Sequence, residues 1–518
     1  MYTRSVDSIK GFFFGKKSFN YINFFLVAAI ITGLILKFIS WLNYPLNSDS
    51  VYSGLASLEI WEYGNYFLYF YFTPHVTPYY FTDIYTIQLV PQVLTDFNPL
   101  ALKFMGFLLF CFIILTFSYI VFRISGNVVN SFVFAALISN LPAGSFEFYV
   151  QYFHIGTVFF TGVVIVLLFD FPKVKVFRYF SALILILITL FSDSLVLIWL
   201  IVPGLLYYAY LTFFSPTGIQ DAKKKEQMDL SGLWFVVLTV ISSITVMIYK
   251  MTFIPYFVRS VEMQLVDFST FFHKAVIFIK QILLLFQSAI YEMLTSPSKM
   301  DLLDYLCVVV SVVLILYCLF KNGKNVPKKI LIFGLFAGMS SFFFFAATTV
   351  SQEVRYLLFL GILIFVMISL CYQDHDTVFL IILFGVLILN AASSVQYIST
   401  QNTYPNQNEY ELIQYLQSRG LNQGIGDYWD ANIITYLSKE NVTIRPAVGA
   451  EGYIVPFTWL TSARWYEKYE MNKVNFILIT NTSAANRPFL NRENIGPYLE
   501  THQPNNTQVW NNYLIYEY

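Results

Sequence analysis

The chain has 518 residues, of which 57% are hydrophobic and only 12% are charged. Ordinary soluble domains carry about 25% charged residues, so this composition excludes a soluble protein and indicates one that crosses a membrane many times. Positive and negative side chains balance to a net charge of zero. The charge therefore gives no electrostatic reason to expect a nucleic-acid partner.

Four basic residues precede the first apolar segment, at Arg4, Lys10, Lys16 and Lys17. A signal peptide begins in the same way, but here no small-residue cleavage site follows, and the apolar run has the length of a full span. We therefore predict an uncleaved first helix. A span needs about 20 apolar residues. The apolar runs predict eleven spans, roughly at 21–42, 99–123, 127–143, 155–171, 178–192, 194–214, 232–250, 302–320, 329–349, 356–372 and 377–395.

The distribution of basic residues orients these spans, because lysine and arginine accumulate in cytoplasmic loops. Basic residues fall in alternate loops, the last of which is 321–329, KNGKNVPKK, whereas residues 43–98 contain five acidic residues and no lysine or arginine. The pattern predicts a protein of the plasma (inner) membrane with a cytoplasmic N-terminus and an extracytoplasmic C-terminal domain. The acidic loop 372–376, YQDHD, is the exception, since this orientation places it inside.

Residues 275–294, AVIFIKQILLLFQSAIYEML, do not fit this pattern. A twelfth span at this place would move the basic loop 321–329 outside. The segment also carries Lys280, Gln281 and Gln287 in its interior, where a lipid-facing helix would place them at an energetic cost. We predict an outer amphipathic or re-entrant helix, with a twelfth span as the alternative.

The composition changes after about residue 396, where polar residues, above all asparagine, dominate. The apolar period of NEYELIQYLQSRG predicts a helix that ends at Gly420, and the short runs NVTIRP, VNFILIT and NNYLIYEY are typical of strands. We predict a transmembrane domain at 1–395, whose outer loop 43–98 carries the candidate active site. A small soluble extracytoplasmic α/β domain follows at 396–518.

The uncommon ionisable residues gather at the outer ends of the predicted spans: Asp49, Asp83, Glu147, His154, Asp193 and Arg355. Each one alone is compatible with interfacial solvation, a cap or a turn. The set favours an enzyme that acts on a lipid-linked substrate, because a transporter would place such groups near the middle of the bilayer. Glu59 and Glu62 are predicted to be solvated helix residues.

The sequence has no nucleotide-binding loop, no hydrolase motif and no paired cysteines at CxxC spacing. The four cysteines lie in or beside apolar segments, which predicts a role in packing. An outward-facing enzyme has no access to cytosolic nucleotide sugars, so its activated donor must arrive through the membrane. Polyprenyl-phosphate sugars are the obvious candidates.

The stretch after the first span, NSDSVYSGLASLEIWEYGNY, resembles the first outer loop of GT-C glycosyltransferases, and more particularly that of the protein-mannosyltransferase and aminoarabinose-transferase branch. Asp49, Tyr52, Ala56 and Gly64 match that pattern, although the family often has the pair Asp-Glu where this chain has Asp49-Ser50. The stretch EVRYLL, at 353–358, is similar to an Arg-Tyr pair that enters a late helix in the same group. The resemblance implies eleven to thirteen spans followed by an outer domain.

By this resemblance Arg355 and Tyr356 bind the donor phosphate. The predicted reaction moves a sugar from polyprenyl phosphate to a lipid, glycan or protein acceptor with inversion at the anomeric carbon, and Asp49 is the general base. Further substrate-binding candidates are Tyr52, Asp83, Glu147, His154 and Asp193. The sequence establishes no cofactor; a divalent cation, Mg²⁺ or Mn²⁺, stays open, with Asp49 as its candidate ligand.

Two other functions stay open at this stage. A flippase for lipid-linked glycans, or a polysaccharide polymerase, would need basic residues along a central cavity, and few lie near the middle of the predicted spans. A non-catalytic membrane protein whose outer domain binds a partner would not need Asp49 or Arg355. Replacing either residue therefore separates this second alternative from an enzyme.

Overall fold

The computed structural model describes residues 21–66, 70–71, 80–150, 154–169, 176–214, 234–246, 248, 264–350, 353–374, 376–401, 404–450, 452–481 and 489–518. The four basic residues before the first span lie outside these ranges. So do Lys173, Lys175 and Lys223–Lys225, which are among the basic residues of the alternate loops.

The first three quarters of the described chain is a bundle of apolar helices. Six of them are long and apolar enough to cross a membrane, and five are shorter apolar helices. The helical segments Val128–Ser139 and Ala143–Tyr149, which are bent by 96° relative to each other, would form a seventh span if they are counted together. The helices are α1 Tyr21–Asn43, α2 Tyr52–Tyr63, α3 Leu89–Leu94, α4 Pro99–Ser125, α5 Val128–Ser139, α6 Ala143–Phe146, α7 His154–Phe169, α8 Val176–Ser192, α9 Val202–Phe214, α10 Trp234–Val246, α11 Phe268–Phe286, α12 Ser288–Thr295, α13 Leu302–Tyr317, α14 Lys328–Ala347, α15 Leu358–Leu370 and α16 Thr377–Thr400.

Shorter helical turns lie between these helices. They are π-helices at Tyr80–Gln88, Leu197–Ile201 and Cys318–Asn322, and 3-10 turns at Glu147–Tyr149, Pro297–Lys299, Gly323–Asn325 and Val354–Leu357.

The ends of α4 show how the sequence sets these boundaries. Asn98 precedes the helix, and its side chain accepts a hydrogen bond from the Leu100 amide over 2.9 Å, while Pro99 occupies the first helical position. Gly126 ends the helix with φ of 67°, a conformation that glycine adopts without strain. The cap and the terminator are 28 residues apart, which fits one crossing of the bundle.

Residues 268–295 form two helices, α11 and α12, with a break at Gln287. The Gln287 side-chain amide donates to Ser311 over 3.0 Å and to Asn390 over 2.9 Å. Those two residues lie near the middle of α13 and α16. The break between α11 and α12 is therefore held in the interior of the bundle by hydrogen bonds between helices.

Both ends of this pair lie on the side of the bundle where Asp49 lies. Beside the start of α11, the amide of Val266 donates to the carbonyl of Ala347, at the end of α14, over 3.0 Å. After α12, Asp301 accepts a 2.6 Å hydrogen bond from Gln396, near the end of α16. The pair therefore enters the bundle and returns, which corresponds to the re-entrant alternative for 275–294, although α11 alone has the length of a span.

The acidic loop 372–376 lies at the opposite end of the bundle. Asp374 accepts a hydrogen bond from Asn127 over 2.9 Å, and Asp376 accepts one from Tyr317 over 2.7 Å. Asp376 also caps α16 by accepting from the amide of Phe379. These carboxylates have local structural partners, which explains why acidic residues occur in a loop that the charge pattern assigns to the basic side.

The C-terminal part is a six-stranded mixed sheet with helices packed on it. The helices are α17 Gln407–Ser418, α18 Tyr428–Leu437, α19 Lys468–Met471 and α20 Arg492–Thr501, with a 3-10 turn at Ala463–Tyr466. The strands are β1 Phe70–Tyr71, β2 Gln423–Gly426, β3 Thr443–Ala450, β4 Tyr453–Pro456, β5 Thr461–Ser462, β6 Phe476–Thr480, β7 Asn506–Trp510 and β8 Tyr513–Glu517. The six-stranded order is β4-β3-β2-β6-β8-β7, while β1 pairs with β5 in a separate ribbon. The predicted boundary at residue 396 falls inside α16, which continues to Thr400.

The sheet domain packs directly on the outer loop predicted at 43–98. Leu46, Val51 and Leu55 belong to the same buried cluster as residues of α17, α18 and the sheet. Gly54 allows this approach, because a Cβ atom there would lie 2.4 Å from the ring of Tyr436. The β1–β5 ribbon adds a second link between the loop and the sheet domain. The loop and the sheet domain thus share one core.

The prediction that Glu59 is solvated is wrong. Its side chain is 2% exposed and accepts hydrogen bonds from Ser462 over 2.7 Å and from Arg464 over 3.1 Å. Arg464 also pairs with Glu440 at 2.9 Å. Docking of the sheet domain buries this carboxylate and supplies its cation, whereas Glu62, three residues later, is exposed.

Candidate active site

Asp49 lies just before α2 and is 8% exposed. Its Oδ2 accepts a hydrogen bond from Nη1 of Arg355 over 3.0 Å, and its Oδ1 accepts one from the hydroxyl of Tyr428 over 2.6 Å. The three residues come from the first outer loop, the 3-10 turn before α15 and the first turn of α18. Asp49 thus joins the helical bundle to the sheet domain.

Arg355 is held between two carboxylates and an aromatic ring. Its Nε lies 2.6 Å from Oε2 of Glu353, and its guanidinium lies 5.5 Å from the centre of the Tyr356 ring. The side chains of Arg355 and Asp49 are 9% and 10% exposed. A buried guanidinium whose fork meets carboxylates has the geometry that also suits a phosphate group, because both ligands offer paired oxygens.

Tyr428 is the site residue that the sequence analysis missed. Burial, followed by the negative charge of Asp49 and the hydrogen bond to it, raises the pKa of Tyr428 well above its ordinary value. The phenol therefore stays protonated and donates to Asp49. Its backbone carbonyl accepts a 2.6 Å hydrogen bond from Ser48, so two contacts fix α18 against the outer loop.

The position of Tyr428 at the end of a parallel strand in the sheet domain is one at which a site residue can be expected. Strand β2 is parallel to both of its neighbours, β3 and β6, and Asp427 and Tyr428 follow directly after its carboxyl end. Ligand sites in such sheets lie where the chain leaves adjacent parallel strands in opposite directions. The strand order was not readable from the sequence.

A hydrogen-bonded pair, His154 and Asp193, lies beside the pair of Asp49 and Arg355. Nδ1 of His154, at the start of α7, lies 2.7 Å from Oδ2 of Asp193, which also accepts from Thr157 over 2.8 Å. Burial raises the pKa of Asp193, but the charge of His154 and these hydrogen bonds outweigh burial and leave the pKa below its ordinary value. The His154 ring meets the Tyr356 ring edge to face, with 5.3 Å between the centres. The pair is therefore in contact with the residue that follows Arg355.

Asp83 shares a pocket with Asp49. The pocket opens to the surface and has room for about 30 Å³ of solvent. Polar residues on its wall are Asp49, Ser50, Ser53, Asp83 and Gln88, and its apolar wall comes from α1, α4 and α7. Burial raises the pKa of Asp83 to about 7, against the opposite effect of hydrogen bonds from Ser53 and Gln88. Two carboxylates with different electrostatic environments thus face one cavity.

Tyr52 and Glu147, which were also predicted as substrate-binding residues, do not line this pocket. Tyr52 is fully buried in a cluster with Ile84 and Tyr428, so it supports the packing behind Asp49. Glu147 lines a neighbouring pocket with Tyr44 and Tyr397. The structure therefore brings Asp49, Asp83, His154, Asp193, Arg355 and Tyr356 into one connected region and leaves Glu147 beside it.

The contact between α7 and the π-helix at Tyr80–Gln88 depends on a glycine. A Cβ atom at Gly156 would lie 1.7 Å from the carbonyl oxygen of Thr82, next to Asp83. We expect Gly156→Ala to lower the free energy of unfolding by about 3 kcal/mol, because overpacking must move one of the two backbones. Gly338→Ala is the control, since a Cβ atom at Gly338 meets nothing within 4 Å. Thermal unfolding in detergent measures both, and equal melting temperatures would contradict the close approach.

The donor set around Asp49 does not fit a metal ion. Within the ranges that the structure describes, no three His, Cys, Asp or Glu side chains are grouped so that they could hold one. Both oxygens of Asp49 already accept hydrogen bonds from Arg355 and Tyr428. A cation at this carboxylate would lie close to the guanidinium and would have to displace it.

Comparison with solved structures identifies the fold. The chain is similar to the oligosaccharyltransferase of Archaeoglobus fulgidus, crystallised with Zn and sulfate, with a TM-score of 0.50 and 11% identity over 92% of this chain and 70% of that one. The chain therefore shares its overall fold with that oligosaccharyltransferase. The protein is an integral membrane protein with this fold and a C-terminal sheet domain.

Two further structures of the Archaeoglobus fulgidus oligosaccharyltransferase are similar at lower scores. One is AglB in complex with an inhibitory peptide and a dolichol-phosphate, with a TM-score of 0.48 and 11% identity over 88% of this chain and 69% of that one. The other is tethered to an acceptor peptide, with a TM-score of 0.47 and 12% identity over 90% and 69%. No protein-family profile and no curated protein matches the chain.

Proposed function

We propose that this protein is a glycosyltransferase that moves a sugar from a polyprenyl-phosphate donor to an acceptor at the outer face of the membrane. The observation that carries the proposal is the buried pair of Asp49 and Arg355, of which Asp49 lines an open pocket, in a fold similar to that of an oligosaccharyltransferase. A buried arginine beside the lipid-facing helices can bind the phosphate of a lipid donor. The adjoining carboxylates can take the proton that the acceptor group loses.

The chemistry of transfer makes two demands on such a site. The departing phosphate gains negative charge, so a fixed cation with two N–H donors stabilises it more in the transition state than in the bound donor. The attacking hydroxyl or amine loses a proton, so a carboxylate must be near. Direct displacement at the anomeric carbon inverts its configuration. Arg355 meets the first demand.

Arg355 already contacts two carboxylates, so the binding of a donor phosphate must change these contacts. A phosphate that binds the guanidinium competes with Asp49 and Glu353 for the same N–H groups. Tyr356, whose ring packs against the guanidinium and against His154, fixes the turn that carries Arg355. Asp49 as the general base stays a prediction from the sequence, since both of its oxygens are engaged in the structure.

We propose the following membrane topology for the same protein. Eleven spans, formed by α1, α4, α5, α7, α8, α9 with the preceding π-helix, α10, α13, α14, α15 and α16, alternate in direction, and the α11–α12 pair is re-entrant. The end of the bundle away from Asp49 carries Arg123, Arg178, Lys321 and Lys328, which supports a cytoplasmic position for that end. The Asp49 pocket and the sheet domain then lie on the extracytoplasmic side.

Binding of the leaving group tests the proposal. Undecaprenyl phosphate should raise the melting temperature of the purified protein in detergent, because a ligand that binds only the folded state stabilises it. Undecaprenol, which has the same chain without the phosphate, is the matched control and should have a smaller effect. An equal effect of the two lipids would show that the site does not recognise phosphate.

A further inference from the structure

We propose that Asp83, rather than Asp49, accepts the proton of the acceptor group during transfer, while Asp49 positions Arg355. This assignment rests on the proposed glycosyl transfer and gives it a second catalytic carboxylate. Both residues belong to the first outer loop and line the same pocket, so the geometry allows either one to reach a substrate bound there.

The contacts of Asp49 argue against a base at that position. One oxygen is ion-paired with Arg355 and the other accepts the Tyr428 hydroxyl. An acceptor group that approached Asp49 would have to compete with these two donors for the carboxylate oxygens. Its two partners come from two distant parts of the chain, which is the arrangement expected of a positioning residue.

The contacts of Asp83 are different in kind. Its carboxylate is 8% exposed and receives hydrogen bonds from Ser53 and Gln88, which are both neutral. Burial raises its pKa to about 7, near the value at which a general base is both ionised and able to hold a proton. Asp49 and Asp83 have different hydrogen-bond partners, so the two carboxylates can divide the tasks of one reaction.

Other titratable groups lie on the elements packed against the π-helix that carries Asp83. They include Asp49 with its partner Arg355, His154 with its partner Asp193, Glu59 and Tyr52 of α2, and Lys103 of α4. Glu59 is paired with Arg464, and Lys103 donates to the carbonyls of Leu42 and Tyr44. The charged members of this set therefore have their own partners, and Asp83 is bound by neutral donors.

The step balances without any further reactant. The oxygen or nitrogen of the acceptor attacks the anomeric carbon and forms the new glycosidic bond. The bond between that carbon and the phosphate oxygen breaks, and its electron pair stays on the phosphate beside Arg355. The proton of the acceptor passes to the carboxylate of Asp83, from which it leaves to solvent through the open mouth of the pocket.

The test compares Asp83→Asn with wild type across the pH range around neutrality. The assay measures release of undecaprenyl phosphate from a mixed set of undecaprenyl-phosphate monosaccharides, in the presence of a cell-envelope extract as acceptor. The wild-type rate should rise with pH through about 7, as Asp83 loses its proton. The Asp83→Asn rate should fall by about 10²- to 10⁴-fold and should no longer rise there. Glu62→Gln, at an exposed acid of α2, is the control.

Two further readouts separate a catalytic role from a structural one. Asp83→Asn should keep the stabilisation by undecaprenyl phosphate and should not lower the melting temperature at alkaline pH, because it removes a carboxylate whose burial disfavours its charge. Ser53→Ala removes one hydrogen bond that favours the ionised form, so the rise in rate should move to higher pH. A merely structural carboxylate would change the rate equally at every pH.

The outcomes distinguish this assignment from the proposed function. If wild type transfers sugar and Asp83→Asn keeps both its rate and its rise with pH, the assignment to Asp83 is wrong and the glycosyltransferase stands. If the rise with pH disappears in Asp49→Asn and persists in Asp83→Asn, Asp49 is the base. If wild type neither binds undecaprenyl phosphate nor releases it from any donor, both proposals fail.

Discussion

Replacing Arg355 with alanine should abolish sugar transfer and weaken the binding of undecaprenyl phosphate by at least about 10²-fold. The guanidinium is buried beside the pocket, where it contributes charge-assisted hydrogen bonds worth about 1.5–3 kcal/mol each. Alanine supplies neither the charge nor the donors. Titration of the purified protein with undecaprenyl phosphate measures the affinity directly.

Two further variants test whether the loss of affinity depends on the geometry of the guanidinium and on its position in the chain. Arg355→Lys keeps the charge but loses the planar fork, so we expect an affinity between those of wild type and Arg355→Ala. Arg419→Ala removes a half-exposed arginine that pairs with Glu517 at 3.3 Å in the sheet domain, and should bind as wild type does. If Arg355→Ala binds undecaprenyl phosphate with wild-type affinity, Arg355 does not bind the phosphate.

Replacing Asp49 with asparagine should reduce transfer by at least about 10²-fold and lower the free energy of unfolding. Breaking a buried ion pair from one side costs about 3–5 kcal/mol, because the remaining charge loses its partner. Glu353 still contacts the guanidinium, so we expect the loss in the free energy of unfolding to be near the lower end of this range. Chemical unfolding in detergent and the transfer assay measure the two effects separately.

The control for Asp49→Asn is Glu62→Gln, which changes an exposed acid in the same loop. That variant should leave transfer and stability unchanged. Wild-type transfer by Asp49→Asn would show that the pocket is not the reacting centre. It would favour the alternative of a membrane protein whose outer domain binds a partner without catalysis.

The membrane class could be predicted from the sequence because the bilayer imposes a length on apolar segments. Most of the predicted spans coincide with apolar helices of the structure. The position of Asp49 after the first of these helices and of Arg355 before a late one followed from the same pattern. The resemblance to the protein-mannosyltransferase and aminoarabinose-transferase branch stays a prediction, since the similarity to a solved structure at 11% identity shows the fold alone.

The contacts of the site could not be predicted, because they join distant parts of the chain. Tyr428 is 379 positions from Asp49, and its contact requires the sheet domain to dock on the outer loop. The burial of Glu59 has the same cause, since its arginine partner lies in that domain. His154 and Asp193 were both candidates, but their pairing depends on how α7 and α8 pack. Local patterns identify the residue types and leave such partners undetermined.

The proposed sugar transfer takes place at the pocket that Asp49 and Asp83 line, with Arg355 in contact with Asp49. The most direct measurement is the release of undecaprenyl phosphate from undecaprenyl-phosphate monosaccharides by the purified protein in proteoliposomes, with a cell-envelope extract as acceptor. We predict release that depends on the acceptor and is lost in Arg355→Ala. Release at the same rate by wild type and Arg355→Ala, or none from any of these donors by wild type, would contradict it.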